Sequence, residues 1–426
     1  MRFYKNQHQF YIGIDLHART MYICVINNIG ETVFHKNMEC SRDNLELVTN
    51  TFGKDIVVGV ECIFTWYWVA DFCAERGIDF ALGHAYYMKS IHGGKTKSDK
   101  IDSEKIANML RGGMFPIAYA YPKAKRAVRD LLRRRLFFVR QRAELSVHLQ
   151  NTNHQYNIND PLTSSRMRSE VYRNTIPQKF SDPATLKMVN ADLAMFQAYN
   201  DIITKLEFQI EDSMEVQDPV SYSIINSVPG LGFILSLTIL YEIDDIHRFS
   251  DVGKFISYCR LVKCSHESAG KKEKGGHNKI GNVHLKWAFS EGAVLFLRNN
   301  ERGQRWHDKL VQRYGKAKAM SIIAQKLGRT VYYMLKRKEA FNPDKFYGDK
   351  KIENKDSGGE HLAYVASRRL HERKLFKSPL LRLAHTSLRA VCMRGNYLSR
   401  RSRLLRITEA YTAGLLTDYM CLIQDA

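Results

Sequence analysis

Three features of the sequence predict an α/β domain followed by mainly helical ones, an α/β plus α fold class. Between Phe10 and Pro116 three short β-rich runs lead into alternating helix and strand patterns, as in a mixed sheet. Beyond Pro122 two long stretches carry apolar residues at helical spacing, with turn-forming residues between them. From Ser221 onward helical patterns interrupted by glycine-rich connections take over. A chain of 426 residues is long enough for two or three domains. The expected divisions are a mixed-sheet domain at 1–120, a coiled coil or helical hairpin at 121–217, a helical domain at 218–348 and a basic extension at 349–426.

In the first division "FYIGIDLH", "TMYICVINN" and "ETVFHKNM" are separated by turn-length breaks, which predicts an antiparallel meander. "SRDNLELVTNTF" opens on a serine suited to capping and keeps Leu45, Val48 and Phe52 on one helical face. "DIVVGVEC" is a continuous β-branched run, as a central strand buried on both faces would be. "YWVADFCAERG" predicts a helix ending at Gly77, "IDFALGH" a strand, and "SDKIDSEKIANMLRGG" a helix ending at glycines.

Pro122 to about Asn153 reads as one long polar helix, with nine Lys/Arg between Lys123 and Arg142. Arg133, Arg134 and Arg135 within it are candidate nucleic-acid contacts. Asp182 to Glu215 is a second helix with Leu186, Val189, Leu193, Phe196, Ile203, Leu206 and Ile210 in register. "QYNINDPLTSS" supplies turn chemistry between them, so an antiparallel arm for dimerisation or nucleic acid is expected.

Further on, "IINSVPGLGFILSLTILYEI" reads as helix, Pro-Gly-Leu-Gly, helix. Gly230 and Gly232 would let the backbone approach a phosphate at the second helix's N-terminus, as in a helix-hairpin-helix; a plain helix connection has the same pattern. Arg305 to Lys338 holds ten Lys/Arg and Asp308 as its one acid, a density suited to a backbone-contacting surface. From the linker-like "KKIENKDSGGE" onward the last segment, 351–426, has fourteen Lys/Arg against seven Asp/Glu, which fits either a nucleic-acid appendage or a solvated tail.

Lys and Arg exceed Asp and Glu by 65 to 44, giving a net charge of +21, more than solubility requires. A polyanion is the expected partner. The longest apolar runs, such as "FILSLTILY", fall well short of the roughly 20 residues that span a bilayer, so no membrane is expected. The N-terminus lacks a signal-peptide pattern, and the expected location is the cytoplasm, on the nucleoid when DNA is bound. The eight cysteines show no CxxC spacing and read as reduced core residues; Cys259, Cys264 and His266 lack a fourth ligand for a zinc site.

Asp15 follows four strand residues and Glu61 ends the buried run "IVVGV". A carboxylate on a central strand carries a large desolvation cost unless it is paired or holds a cation. Asp99 and Asp102 lie at i and i+3, on one face of a helix's first turn. Each acid alone has a structural reading, Asp99 as a helix cap above all. As a D…E…DxxD set they suit Mg²⁺ or Mn²⁺, which take oxygen ligands and, in pairs, stabilise attacking and leaving oxygens in phosphodiester cleavage.

"HESAGKKEKGGHNKIG", His266 to Gly281, has no hydrophobic periodicity and reads as a loop. Ser268 is its one hydroxyl; Lys271, Lys272 and Lys274 put positive charge beside it, and Gly270, Gly275 and Gly276 let backbone close on a phosphate. It is not a P-loop, because the first glycine of GxxxxGK[ST] is missing.

The set "GIDLHA", "VGVEC", "KSDKIDSEKIA", "SVPGLGFILSLTIL", "FISYCRLV" and "HESAGKKEKGGHNKIGNVHLKWAFSEGA", in this order over about residues 10 to 340, resembles the DEDD insertion-sequence transposases of the insertion sequence one-ten family, which includes the pilin-gene invertase. The resemblance implies an RNase H/RuvC-like catalytic domain bearing Asp15, Glu61, Asp99 and Asp102, a coiled-coil connector and a helical transposase domain. It further implies a Mg²⁺-dependent recombinase acting on donor and target DNA. A structured bridge RNA would guide it, and a homo-oligomer, dimer or tetramer, would share active sites between protomers. Ser268 aligns with the family's serine nucleophile; where the family reads serine, serine, glycine, glycine, this chain has Glu267, Ser268, Ala269 and Gly270, and Ser265 is the alternative. The extension after about 350 has no counterpart in the resemblance. Competing readings are a RuvC-like nuclease or resolvase that activates water, an actin-like kinase, for which "DLHART" lacks the phosphate loop, and a non-catalytic nucleic-acid binder.

Overall fold

The computed structural model describes residues 2–91, 98–212, 218–262, 266–268, 271–273 and 280–348. The chain divides into units 1–348 and 349–426, and the basic extension expected at 349–426 lies outside the described residues.

The first three strands, β1 (Phe10–Leu16), β2 (Thr20–Asn27) and β3 (Thr32–Glu39), form the antiparallel meander that their turn-separated pattern predicts. Helix α1 (Arg42–Phe52) starts at Ser41, whose side chain accepts a hydrogen bond from the Asn44 amide, and buries Leu45 and Val48. Strand β4 (Ile56–Glu61) then lies parallel to β1, with Ile56 to Val60 all buried. Helix α2 (Tyr67–Arg76) ends on Gly77 at φ 66°, a left-handed position that favours glycine, and leads to β5 (Asp79–Gly83), parallel to β4. The sheet order is β3-β2-β1-β4-β5, a mixed five-stranded sheet.

A helix not foreseen in the sequence, α3 (Ala85–Ile91), follows β5. Seven residues are too few to establish a helical period. Helix α4 (Asp99–Arg111) packs across β1 and β2. It comes so close because Gly13 and Gly59, side by side on β1 and β4, present no side chains beneath it. A Cβ on Gly13 would lie 2.3 Å from the Ser103 carbonyl oxygen and 2.4 Å from the Ala107 nitrogen.

Helices α5 (Lys123–Gln155) and α8 (Pro183–Asp212) form the expected arm, with the short α6 (Ser164–Arg168) and α7 (Glu170–Thr175) between them. Arg135 pairs with Glu207, Arg142 with Asn200 and His148 with Asp192, so residue numbers rise on one helix as they fall on the other, and the pair is antiparallel. Met188, Met195 and Ile202, seven residues apart, stay exposed along α8.

The remaining helices are α9 (Pro219–Asn226), α10 (Phe233–Ile243), α11 (Val252–Tyr258), α12 (Val283–Phe296), α13 (Glu301–Tyr314), α14 (Lys316–Arg337) and α15 (Pro343–Tyr347). Their core gathers Leu237, Ile239, Phe255, Phe289, Phe296 and Leu327. Between α11 and α12 the chain is not wholly loop: β6 (His266–Ser268) and β7 (Lys271–Glu273) pair antiparallel, with Ser268 opposite Lys271. The backbone register sets Glu267 opposite Lys272, in a segment without the hydrophobic alternation by which strands are read from sequence.

Among the described cysteines Cys24, Cys73 and Cys259 are buried as expected, whereas Cys62 is exposed, in the turn that follows Glu61. Burial pushes the Cys259 thiol well above its ordinary range, which disfavours the thiolate a metal site would need; Cys264 lies outside the described residues. Among the described residues no helix is long and apolar enough to cross a membrane.

Candidate active site

Parallel pairing of β1 with β4 aligns Ile14 with Val60, so Asp15 and Glu61, one residue further on, end up on neighbouring strands at the same edge. Asp99 and Asp102 reach that edge from the first turn of α4. The cap of α4 is Ser98, whose hydroxyl accepts from the Ile101 amide at 3.3 Å. The capping reading of Asp99 therefore falls away.

Asp15, Asp99 and a third residue, His17, each present a ligand atom within 4.8 Å of the others. His17 Nε2 lies 3.4 Å from Asp15 Oδ2 and 3.5 Å from Asp99 Oδ2. Asp102 sits close by and pairs with Lys105 at 3.3 Å. Glu61 is half-buried on the adjacent strand and lies outside this tight group. His17 was not singled out in the sequence, although two-residue spacing from a strand acid puts a side chain on the same face.

The electrostatics of the cluster are those of crowded acids. Burial, foremost, pushes the Asp15 carboxyl above the usual carboxylate range; His17 opposes this, and the negative charges of Asp99 and Asp102 add to it. A divalent cation would relieve that crowding, and the two carboxylates and one imidazole within ligating reach of one another make a donor set that fits one.

The second half of the predicted site is the serine hairpin. Its two stems are tied together: Arg260 Nε donates to the Gly281 carbonyl at 3.0 Å, and the Asn282 amide donates to the Tyr258 carbonyl at 2.6 Å. Gly281, at φ 100°, is where this approach needs glycine, since a Cβ would lie 2.6 Å from the Tyr258 oxygen. Ser268 is the last residue of β6; Lys271 and Lys272 open β7; Ser265 and Lys274 lie outside the described residues.

Asn282 also caps α12 and donates to Glu242 Oε2 at 2.7 Å. Glu242, only 2% exposed, accepts from Arg129 at 3.1 Å and from Arg133 at 2.6 and 2.9 Å. Burial raises its carboxyl, but the Arg133 and Arg129 guanidiniums and Asn282 outweigh that and hold it below the usual range. Beside this network burial, with the positive charge of Arg133, pushes the His284 imidazole down to about 4, so it is neutral at physiological pH.

This network accounts for residues first read as nucleic-acid contacts. Arg133 is bound to Glu242 and Arg135 to Glu207, so part of the helix's basic charge is neutralised inside the protein, whereas Arg134 is exposed and stacks on Phe137 and Phe138. Gly230, at φ 86°, is required by packing, because a Cβ there would lie 2.5 Å from the Phe296 nitrogen. Gly232 is exposed with open space at the N-terminus of α10.

A strongly basic chain, an acid cluster on a mixed sheet and a helical second half suit chemistry on a nucleic acid, and the comparisons with known proteins agree. A family model for DEDD transposases of IS110 elements matches residues 12–158, which contain all four acids. One described as Transposase IS116/IS110/IS902 family matches 222–308, which contain Ser268. A relative described as the transposase for insertion sequence element IS1111A, from Coxiella burnetii, is 22% identical over 339 residues, 78% of this chain and 90% of its own length. The chain is thus an insertion-sequence transposase. It belongs to the IS110 family.

Proposed function

We propose that Asp15, Glu61, Asp99 and Asp102 hold Mg²⁺ or Mn²⁺ against a scissile DNA phosphate, and that Ser268 is the nucleophile. The observation that carries this reading is the convergence of Asp15, Asp99 and His17 within ligating distance, with burial and neighbouring acids raising Asp15. A divalent cation held there would neutralise charge on the phosphate and polarise it toward attack. Asp15, Asp99 and Asp102 would hold it, with Glu61 at the same edge, and His17, between Asp15 and Asp99, would either join them as a ligand or orient them.

In this reading the Ser268 oxygen attacks phosphorus, its proton passes to a base, and the leaving DNA oxygen departs with the bonding pair. The resulting phosphoserine ester conserves the bond, so rejoining to a second strand needs no high-energy cofactor. Lys271 opposite Ser268, and Lys272 and Lys274 beyond it, suit a phosphate close to that serine. Gly232 at an exposed helix N-terminus and Arg134 on α5 are backbone contacts for DNA or RNA.

The domain plan at 1–120, 121–217, 218–348 and 349–426 is part of the same proposal, with an RNase H/RuvC-like first domain supported by the strand order β3-β2-β1-β4-β5. A structured bridge RNA would pair with donor and target DNA, and active sites would be shared between protomers of a dimer or tetramer. The exposed heptad row Met188, Met195, Ile202 is a surface that a second copy would cover.

The test is covalent trapping. Protein, DNA and Mg²⁺ should yield a protease-sensitive, gel-shifted adduct, and Ser268→Ala should abolish the adduct while leaving DNA binding intact. Cleavage by Ser268→Ala at the wild-type rate would instead assign a water-activating nuclease.

A further inference from the structure

Phe64 is the most exposed large apolar side chain among the described residues, at 84%. Its segment is nonetheless held on both sides. The Cys62 amide donates to the Gly83 carbonyl at 2.8 Å, and the Ile63 amide turns back on the Glu61 carbonyl at 2.8 Å. Thr65 makes a long hydrogen bond, 3.5 Å, to the carbonyl of Leu16, the residue after Asp15, and Trp66 is buried. The ring is thereby presented between two anchors, three residues past Glu61 and next to Thr65, which reaches the backbone between Asp15 and His17. Trp66 and Tyr67 pack on each other and on Arg126, and Phe64 joins none of these contacts.

We propose that Phe64 is a stacking platform for an unpaired nucleobase beside the phosphate held at the aspartate cluster. This rests on reading that cluster as the strand-transfer centre. Bases inside a duplex hide their faces, whereas a strand opened for cleavage and exchange offers one to an exposed ring, and stacking of this kind tolerates any sequence. Phe suits the task because its rigid ring has few rotamers to lose on binding. A lone exposed ring lacks the contiguous apolar area of a protein interface.

The probe is a mixed-sequence single-stranded oligonucleotide carrying 2-aminopurine, bound to the full chain in Ca²⁺, with Asp15→Asn as control. Wild-type protein should quench 2-aminopurine in an Asp15-dependent manner. Phe64→Ala should lose the quenching and bind about 5- to 150-fold more weakly, and Phe64→Trp should keep both. Unchanged quenching and affinity in Phe64→Ala, with Asp15-dependent binding intact, would overturn the stacking alone. Wild-type binding that ignores Asp15 would overturn the strand-transfer reading of the cluster and the stacking with it. A change of oligomeric state in Phe64→Ala without loss of quenching would assign the ring to a contact between copies and overturn the proposal.

Discussion

Gly13→Ala would set a methyl carbon 2.3 Å from the Ser103 carbonyl oxygen and 2.4 Å from the Ala107 nitrogen, both in the backbone of α4. Carbon–oxygen contacts ordinarily begin near 3.4 Å, so the helix must retreat by about 1 Å, because backbone atoms cannot rotate aside. Asp99 and Asp102 ride on that helix while Asp15 stays on β1, two residues from the substitution. Overpacking of this kind costs about 1–3 kcal/mol of stability. A misplacement of about 1 Å in a catalytic constellation costs on the order of 100-fold in rate. Gly59→Ala is the matched control: its methyl meets Leu110 Cδ1 at 2.6 Å and Ile106 Cγ2 at 3.3 Å, side-chain ends that can turn away. Calorimetric Mn²⁺ titration, DNA strand cleavage and thermal melts should therefore show a large loss of metal affinity and activity for Gly13→Ala and a small one for Gly59→Ala. Wild-type metal affinity and cleavage in a folded Gly13→Ala protein would refute the claim that this glycine sets the distance between strand and helix acids.

Other expectations concern charge. The fold raises the Asp15 carboxyl, so the folded chain holds that proton more tightly than the unfolded one; Asp15 lowers metal-free stability above its folded pKa, and this cost vanishes below about pH 3.8. Asp15→Asn should accordingly raise the Tm at pH 7.5, by less as the pH approaches 4, and should remove the further rise that Mg²⁺ gives the wild type. Glu242 behaves oppositely: its depressed carboxyl contributes stability above the unfolded value of 4.5, lost as the pH falls through the folded one. Glu242→Ala strands buried Arg129 and should cost about 3–5 kcal/mol in denaturant unfolding at neutral pH, with the difference shrinking in acid.

Much of the fold was legible in the sequence because it rests on local rules. Turn-separated β runs specified the meander, the unbroken "IVVGV" specified a buried parallel strand, and Ser41 and Gly77 marked helix ends by capping chemistry. The four acids stand out in the sequence for the same reason, since a carboxylate in such a strand, or a pair at i and i+3, is unusual within its own segment, and the structure brings Asp15 and Asp99 together. Long-range contact decided the rest. Nothing local tells that Gly13 and Gly59 lie side by side under α4, that His17 bridges two aspartates about eighty residues apart, or that Arg133 turns inward to Glu242. An arginine reads the same in sequence whether it faces a phosphate or a buried carboxylate, because its partner is chosen by desolvation and packing between distant segments, which only the tertiary structure brings together.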